Sequence, residues 1–315
     1  MNHKIGFVVG NGLTIDFCST FSSQMGQFLN PSEPFDWEFL VPDNAGKKWR
    51  DAFPNLASCL PLDRIVSFKT FVDVVDAFSG NDSHRSRRIE VESRHFVVFA
   101  YCAFQEQIDR IGVANWRWTE WLRTHAAQIQ FLVSFNYDCL LERTAMTARL
   151  DLARFRILGN ISGTVLFKPH GSIDYGLADG AFGIDVNTIQ YPLNHLFSSN
   201  DYPTRILMHQ NSLRRPRLEA FVVLPGEHSP LRTHRWITDG YAKWVRNARK
   251  LSHCIFAGLS YWPVDRSEID QLLDALSPMA IVIVANPKPS SEFKKRVIAS
   301  GRKYVEWIDG PERIK

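Results

Sequence analysis

Six short segments of the chain are almost continuously apolar, with no alternation between apolar and polar residues. A strand with one face in water alternates, whereas a strand buried on both faces of a parallel sheet is apolar throughout. The six segments therefore predict the strands of a buried parallel sheet. They are residues 5–9, 131–135, 165–167, 221–224, 254–257 and 280–285.

Several of these segments are followed by residues whose apolar side chains have helical spacing. Residues 241–251 and 266–276 are the clearest cases, and the second places Ile269, Leu272 and Leu273 on one face. Strands that alternate with helices of this length form right-handed crossovers between parallel strands. The sequence thus predicts an α/β protein with a Rossmann-like doubly wound parallel sheet.

Two long segments depart from this alternation. Residues 31–127 contain helical patterns and no strand pattern, so we predict a helical insertion after the first strand. Residues 174–218 are rich in Gly, Asn, Pro and Ser, which predicts a loop-rich insertion. With no clear linker between segments, residues 1–315 are predicted to form a single domain.

Composition narrows the functional classes. The chain has 37 basic and 33 acidic side chains, and its formal charge of +4 is too small to indicate a nucleic-acid or membrane partner. Its five cysteines are widely spaced and include no CxxC pair, as expected for free thiols in a reducing compartment. No apolar run approaches the ~20 residues of a membrane span, and the first residues lack a signal-peptide layout. We predict a cytoplasmic protein that binds neither membranes nor nucleic acids directly.

The first predicted strand runs directly into Gly10, Asn11 and Gly12. Glycines between a strand and a helix let backbone N–H groups approach a diphosphate, and the helix N-terminus favours its negative charge. The dinucleotide fingerprint GxGxxG would need a third glycine where this chain has Ile15. From these residues alone, a phosphate-binding loop and a purely structural turn stay equally open.

Two further predicted strands end in side chains that can do chemistry. Asn136 and Asp138 follow one strand and His170 follows the next. Open α/β sheets bind ligands at the carboxyl ends of their strands, and a histidine there can act as a general base. The alternatives are helix capping for the first pair and a structural hydrogen-bonded role for the histidine.

Gly258 and Ser260 follow the predicted strand at 254–257, and Asn286 follows the one at 280–285. The joint order of strand-end motifs is Gly-x-Gly, Asn-Tyr-Asp, His-Gly-Ser, Gly-x-Ser and Asn-Pro. This order resembles the sirtuin-like family, and specifically the bacterial sirtuin-like NAD hydrolases of antiphage defence. The resemblance covers residues 1–30 and 125–310.

The resemblance implies NAD as the substrate. It implies that Gly10, Asn11 and Gly12 form the phosphate loop, with Thr14 where the family commonly has serine. Gly258 and Ser260 match the family's Gly-x-Ser, and Asn286 matches the asparagine that meets the adenosine ribose. A departure is Asn11, which replaces a small alanine, so its amide either contacts NAD or shapes the loop.

The catalytic residues are also implied by the resemblance. Asn136 would orient ribose hydroxyls or the attacking water, and His170 would accept a proton. Asp138 would position the nicotinamide carboxamide. These roles describe an NAD hydrolase that releases nicotinamide and ADP-ribose.

Protein-deacylating sirtuins usually carry a four-cysteine zinc module after the His-Gly motif, whereas this chain has only Cys254 beyond Cys139. The sequence therefore predicts no zinc and disfavours a deacylase or an ADP-ribosyltransferase. A non-catalytic sensor that binds NAD or ADP-ribose stays the main alternative to the hydrolase.

The resemblance also implies gating, through homo-oligomerisation or through a separate ATPase or nuclease. Trp116, Trp118 and Trp121 are candidates for an assembly surface, and an ordinary helical core is the alternative for them.

Overall fold

The computed structural model describes residues 3–24, 48–60, 68–78, 83–155, 163–176, 205–206, 213, 220–224 and 234–314. The described strands are β1 (Ile5–Val9), β2 (Ile129–Ser134), β3 (Leu152–Arg154), β4 (Thr164–Phe167), β5 (Tyr175–Gly176), β6 (Arg205–Ile206), β7 (His253–Ala257), β8 (Ile281–Ala285) and β9 (Lys303–Trp307). Seven of them form a parallel main sheet in the order β3-β4-β2-β1-β7-β8-β9, and β5 and β6 form a separate antiparallel pair.

Helices lie on both faces of the main sheet. They are α1 (Asn11–Thr20), α2 (Trp49–Ala52), α3 (Pro54–Ala57), α4 (Phe68–Phe78), α5 (His84–Ile111), α6 (Arg117–His125), α7 (Leu140–Thr147), α8 (Arg235–Ala248), α9 (Pro263–Asp274) and α10 (Ser291–Ala299). Successive residues of β1 serve different cores, since Phe7 packs in one buried cluster and Val8 in the other. This arrangement confirms the predicted doubly wound, Rossmann-like α/β fold.

The described elements between α1 and β2 are helical, from α2 to α6. They pack against the same face of the sheet as α1, and their side chains extend that core. Trp116, Trp118 and Trp121 are 1%, 3% and 6% exposed. Trp118 and Trp121 stack near Phe7 on β1, so the tryptophans form core and the assembly-surface hypothesis is wrong for them.

The predicted strand at residues 221–224 is not a strand of the sheet. Val222 forms one isolated bridge with Gly171, and the segment is buried and extended over the turn after β4. Its apolarity reflects burial over that turn, not pairing in the sheet. Most of the predicted loop-rich insertion at 174–218 lies outside the described residues. None of the described helices is long and apolar enough to cross a membrane.

Candidate functional site

A cavity of about 790 Å³ opens at the carboxyl ends of the parallel strands. The strand order reverses direction at β1, between β2 and β7, and an open α/β sheet binds its ligands at such a switch point. The cavity volume lies within the range of small-molecule sites. Eight of the residues predicted from the sequence line it, namely Gly10, Asn11, Gly12, Asn136, His170, Gly258, Ser260 and Asn286.

The glycine turn after β1 is held by its own amides. The N–H of Gly10 donates to Ala257 O at 3.0 Å, and the N–H of Gly12 donates to Gly258 O at 2.8 Å. A Cβ on Gly12 would lie 2.7 Å from the Gly258 Cα, so the two backbones touch. The glycines are therefore required for close packing of two strand-end loops, and their N–H groups point to protein carbonyls.

Gly258 has a φ of +63°, and a Cβ there would lie 2.2 Å from the Leu13 N. We expect Gly258→Ala to lower the free energy of unfolding by about 1–3 kcal/mol more than Gly301→Ala. Gly301 is the matched control because its φ is +76° and nothing lies within 4 Å of its Cβ position. Equal losses for the two variants in urea unfolding would contradict the close packing of the loops.

The side-chain amide of Asn136 has a defined orientation. Its Nδ2 donates to Gly10 O at 3.1 Å and to the Thr14 hydroxyl at 3.0 Å. Gly10 O can only accept a hydrogen bond, so the NH₂ group of the Asn136 amide must face Gly10 and Thr14. Asn136 Oδ1 therefore points away from the α1 turn, and it accepts no hydrogen bond from any described residue. This oxygen is therefore the hydrogen-bond acceptor that Asn136 offers to the cavity.

Thr14 and Asp138 do not line the cavity but support Asn136 from behind. The Thr14 hydroxyl accepts from Asn136, so its own proton goes to Asp138 Oδ2 at 2.9 Å. Asp138 Oδ1 also accepts from the Leu140 N–H, as expected at the start of α7. Burial raises the pKa of Asp138, although Lys168 and these two hydrogen bonds counteract it. Thr14 and Asp138 thus form a positioning relay behind Asn136, and their contacts with NAD stay a prediction.

We expect Thr14→Val to lower the free energy of unfolding by about 1–3 kcal/mol, because it leaves the buried Asp138 Oδ2 without a donor. Thr20→Val is the matched control on the same helix. The Thr20 hydroxyl is exposed and bonds only Asp16 O. For this control, urea unfolding should show a change within about 0.5 kcal/mol. If both valine variants unfold alike, the relay contributes nothing to stability.

His170 is 7% exposed and lies between two aromatic rings and two carboxylates. Phe135 meets its ring edge-on at 5.0 Å between centroids, and Tyr137 lies at 6.3 Å. Glu268 Oε2 lies 3.0 Å from Nε2 and Asp265 Oδ1 lies 3.6 Å from it. The backbone of His170 is also fixed, since its carbonyl accepts from the Val223 N–H at 2.9 Å.

A buried group of charges lies beneath the loops of Asn136 and His170. Lys168 Nζ donates to Asp138 O, to Glu142 Oε1 and to the Ser172 hydroxyl, at 2.6, 2.9 and 2.9 Å. Arg154 donates to Glu142 and to Asp174, at 2.6 Å each. The two cations thus balance two carboxylates. Burial lowers the pKa of Lys168, but the negative groups around it, with Glu142 first and Asp174 among them, together outweigh burial and raise this pKa.

Two groups of described side chains have the spacing of metal ligands. One combines Cys139 with Glu142 and Asp174, whose carboxylates already pair with Lys168 and Arg154. Burial raises the pKa of the Cys139 thiol well above its ordinary value, which disfavours the thiolate. The other group combines His170, Asp265 and Glu268 at the cavity.

Several cavity residues have no counterpart in the sequence prediction. Arg117 pairs with Asp16 of α1, and Lys288 extends the positive charge at the end of β8. Trp262 at the rim is 43% exposed. Asn286 was predicted to bind NAD. Both polar atoms of its side-chain amide form hydrogen bonds within the protein, because Nδ2 donates to Leu259 O and Oδ1 accepts from the Lys288 N–H. Nothing in the strand-end motifs indicated that Arg117, Lys288 and Trp262 would line this cavity.

The fold and the cavity define an α/β protein with a doubly wound parallel sheet and a small-molecule cleft at its switch point. No protein-family model matches the chain, and no curated protein matches it. Among solved structures, the chain is similar to a Sir2 homolog in complex with NAD, at 13% identity and a TM-score of 0.36, covering 96% of this chain and 83% of that one.

Two other similar structures have comparable scores. A mutant Sir2 homologue with 2′-O-acetyl ADP-ribose has 13% identity and a TM-score of 0.39, covering 95% and 89% of the two chains. A complex of Sir2 with a p53 peptide and NAD⁺ has 12% identity and a TM-score of 0.36, covering 95% and 94%. The fold assignment rests on the sheet topology and not on these scores, and membership of the sirtuin-like family stays a prediction.

Proposed function

We propose that the protein is an NAD hydrolase that cleaves the bond between nicotinamide and ribose. The observation that carries the proposal is that Asn136 and His170 line one cavity, which the loops after β1, β7 and β8 also line. An acceptor oxygen and an imidazole are the groups that water activation requires. The strand-end motifs that resemble those of sirtuin-like NAD hydrolases point to the same substrate.

In the proposed reaction the bond from ribose C1′ to nicotinamide N1 breaks, and its electron pair neutralises the nicotinamide nitrogen. Positive charge develops on the ribose ring, as in glycoside hydrolysis. A water oxygen forms the new bond to C1′, and His170 takes the proton that this water loses. Asn136 Oδ1 accepts a hydrogen bond from the same water or from a ribose hydroxyl.

The remaining cavity residues fit an anionic dinucleotide. Lys288 and Arg117, which pairs with Asp16, place cationic groups at the cavity, and α1 directs its N-terminus towards it. The N–H groups of Gly10 and Gly12 donate to protein carbonyls. We therefore propose that Arg117, Lys288 and the side chains of Asn11 and Ser260 bind the diphosphate. Gly258 lets the loops after β1 and β7 pack closely beside this site, and Asn286 shapes the loop beside the adenosine ribose.

The test is to incubate the purified protein with NAD and to quantify nicotinamide and ADP-ribose. We expect the two products in equal amounts. The doubly substituted Asn136→Ala, His170→Ala protein, purified identically, controls for contaminating hydrolases. The proposal is wrong if NAD binds without nicotinamide release even in the assembled protein, which is the outcome expected of a sensor. It is also wrong if nicotinamide appears only with an acylated peptide, which is the outcome expected of a deacylase.

On the resemblance alone we further propose that the hydrolase acts in the cytoplasm as a gated effector that depletes NAD in antiphage defence. Homo-oligomerisation, or a hexameric ATPase or nuclease partner, would supply the gate. Specific activity measured against protein concentration, together with light scattering, tests the first of these. An activity per protomer that is independent of assembly would contradict gating by oligomerisation.

A further inference from the structure

We propose that Glu268 is a positioning residue that fixes His170 in the tautomer protonated at Nε2. The kinetic part of this inference rests on the proposed NAD hydrolysis, whereas the tautomer itself can be measured without it. Glu268 lies 98 residues from His170 in sequence, and no strand-end motif includes it.

The geometry leaves one consistent arrangement of protons. Glu268 Oε2 lies 3.0 Å from His170 Nε2, and an ionised carboxylate can only accept a hydrogen bond. Nε2 must therefore carry the proton. In a neutral imidazole the lone pair is then on Nδ1, so Nδ1 is the nitrogen that would accept the proton in the proposed reaction.

Helix α9 supplies the carboxylate with little freedom to move. Asp265 and Glu268 are three residues apart, so they lie on the same face of the helix. Glu268 is 8% exposed, and its neighbours Ile269 and Leu272 are buried in the core. A carboxylate fixed in this way also stabilises the imidazolium that forms when His170 takes a proton. Asp265, at 3.6 Å from Nε2, adds to this effect without a direct hydrogen bond.

The test is Glu268→Gln, which keeps the shape of the side chain and removes its charge. Replacing the carboxylate that orients a catalytic imidazole costs up to about 10⁴-fold in kcat. We expect a smaller fall here, on the order of 10²-fold, because Asp265 still faces the ring. KM for NAD should stay within about threefold, since Glu268 acts on the proton acceptor and not on NAD binding. Glu292→Gln is the matched control, an exposed carboxylate that pairs with Arg266, and it should leave kcat unchanged.

The second measurement is the ¹⁵N NMR spectrum of the His170 ring at a pH where the imidazole is neutral, assigned by comparison with His170→Gln. We expect a protonated Nε2 in the wild type and a mixture of tautomers in Glu268→Gln, because an amide can donate or accept. A wild-type ring protonated at Nδ1, or the same tautomer in both proteins, would overturn the inference even if NAD is cleaved. The spectrum reports the tautomer of His170 even if the wild type does not cleave NAD.

Three kinetic outcomes would also overturn the inference that Glu268 positions His170. One is a Glu268→Gln enzyme with kcat within twofold of wild type, and another is a loss confined to KM. The third is cleavage that a chelator abolishes and Mn²⁺ or Zn²⁺ restores, because His170, Asp265 and Glu268 would then be metal ligands. Thermal unfolding of the variant shows whether a loss of activity reflects a loss of fold.

Discussion

Replacing His170 with alanine will lower kcat for NAD cleavage by about 10²–10⁴-fold, the range typical for loss of a general base. The variant removes the imidazole between Phe135 and Glu268, which is the proposed acceptor for the proton of the attacking water. In the proposed complex NAD is bound by the loops after β1, β7 and β8, so KM should change much less than kcat. Steady-state release of nicotinamide measures both constants.

His253→Ala is the matched control for this prediction. His253 is also buried, but it begins β7 and therefore lies at the opposite end of the strands from the cavity. Its loss should leave kcat unchanged even if it lowers stability. A His170→Ala protein that keeps a third or more of the wild-type kcat would remove His170 from the mechanism.

Asn136→Ala should also lower kcat, because it removes Oδ1 from the cavity and the Nδ2 donor from Gly10 O and Thr14. If Asn136 and His170 act on one water, the double variant will lose little more than the worse single variant. Multiplicative losses would indicate two independent roles.

The sheet is predictable from sequence where its strands are buried on both faces. The apolar runs predicted β1, β2, β4, β7 and β8, with boundaries that differ from those of the structure by at most two residues. The edge strands β3 and β9 were missed, because an edge strand keeps one side near solvent. Its residues therefore include charged ones such as Lys303 and Glu306.

The site was predictable only in its strand-end residues. A strand-end position follows from the topology of a parallel sheet, so eight predicted residues do meet at one cavity. Contacts across elements do not follow from topology. The partnership of His170 with Glu268, and the placement of Thr14 and Asp138 behind Asn136, depend on side-chain geometry that no spacing in the sequence encodes.

Lys168 is the least predictable of the residues that organise the site. It stands in the motif Lys-Pro-His-Gly, where a lysine would be expected to extend into solvent. Instead it is fully buried, and its ammonium group connects the carbonyl of Asp138 with the hydroxyl of Ser172. It thereby holds the loop of Asn136 against the loop of His170.

We expect Lys168→Met to lower the free energy of unfolding by about 3–5 kcal/mol, the cost of breaking a buried ion pair from one side. Methionine fills similar space but leaves Glu142 with only Arg154 as a partner, in a site from which water is excluded. The Asp138 carbonyl loses a donor as well. Because the lysine joins both loops, NAD cleavage should fall even under conditions where the variant is folded. Urea unfolding and nicotinamide release measure the two effects.

Lys294→Met provides the matched control. Lys294 pairs with Glu306 at 3.0 Å, but its side chain is 49% exposed, and a surface pair of this kind contributes at most about 1 kcal/mol. In the double variant Lys168→Met, Glu142→Gln, part of the lost stability should return, because the carboxylate left with one partner is also removed. Comparable losses for Lys168→Met and Lys294→Met, or a double variant that is no more stable than Lys168→Met, would show that the buried charges do not hold the two loops together.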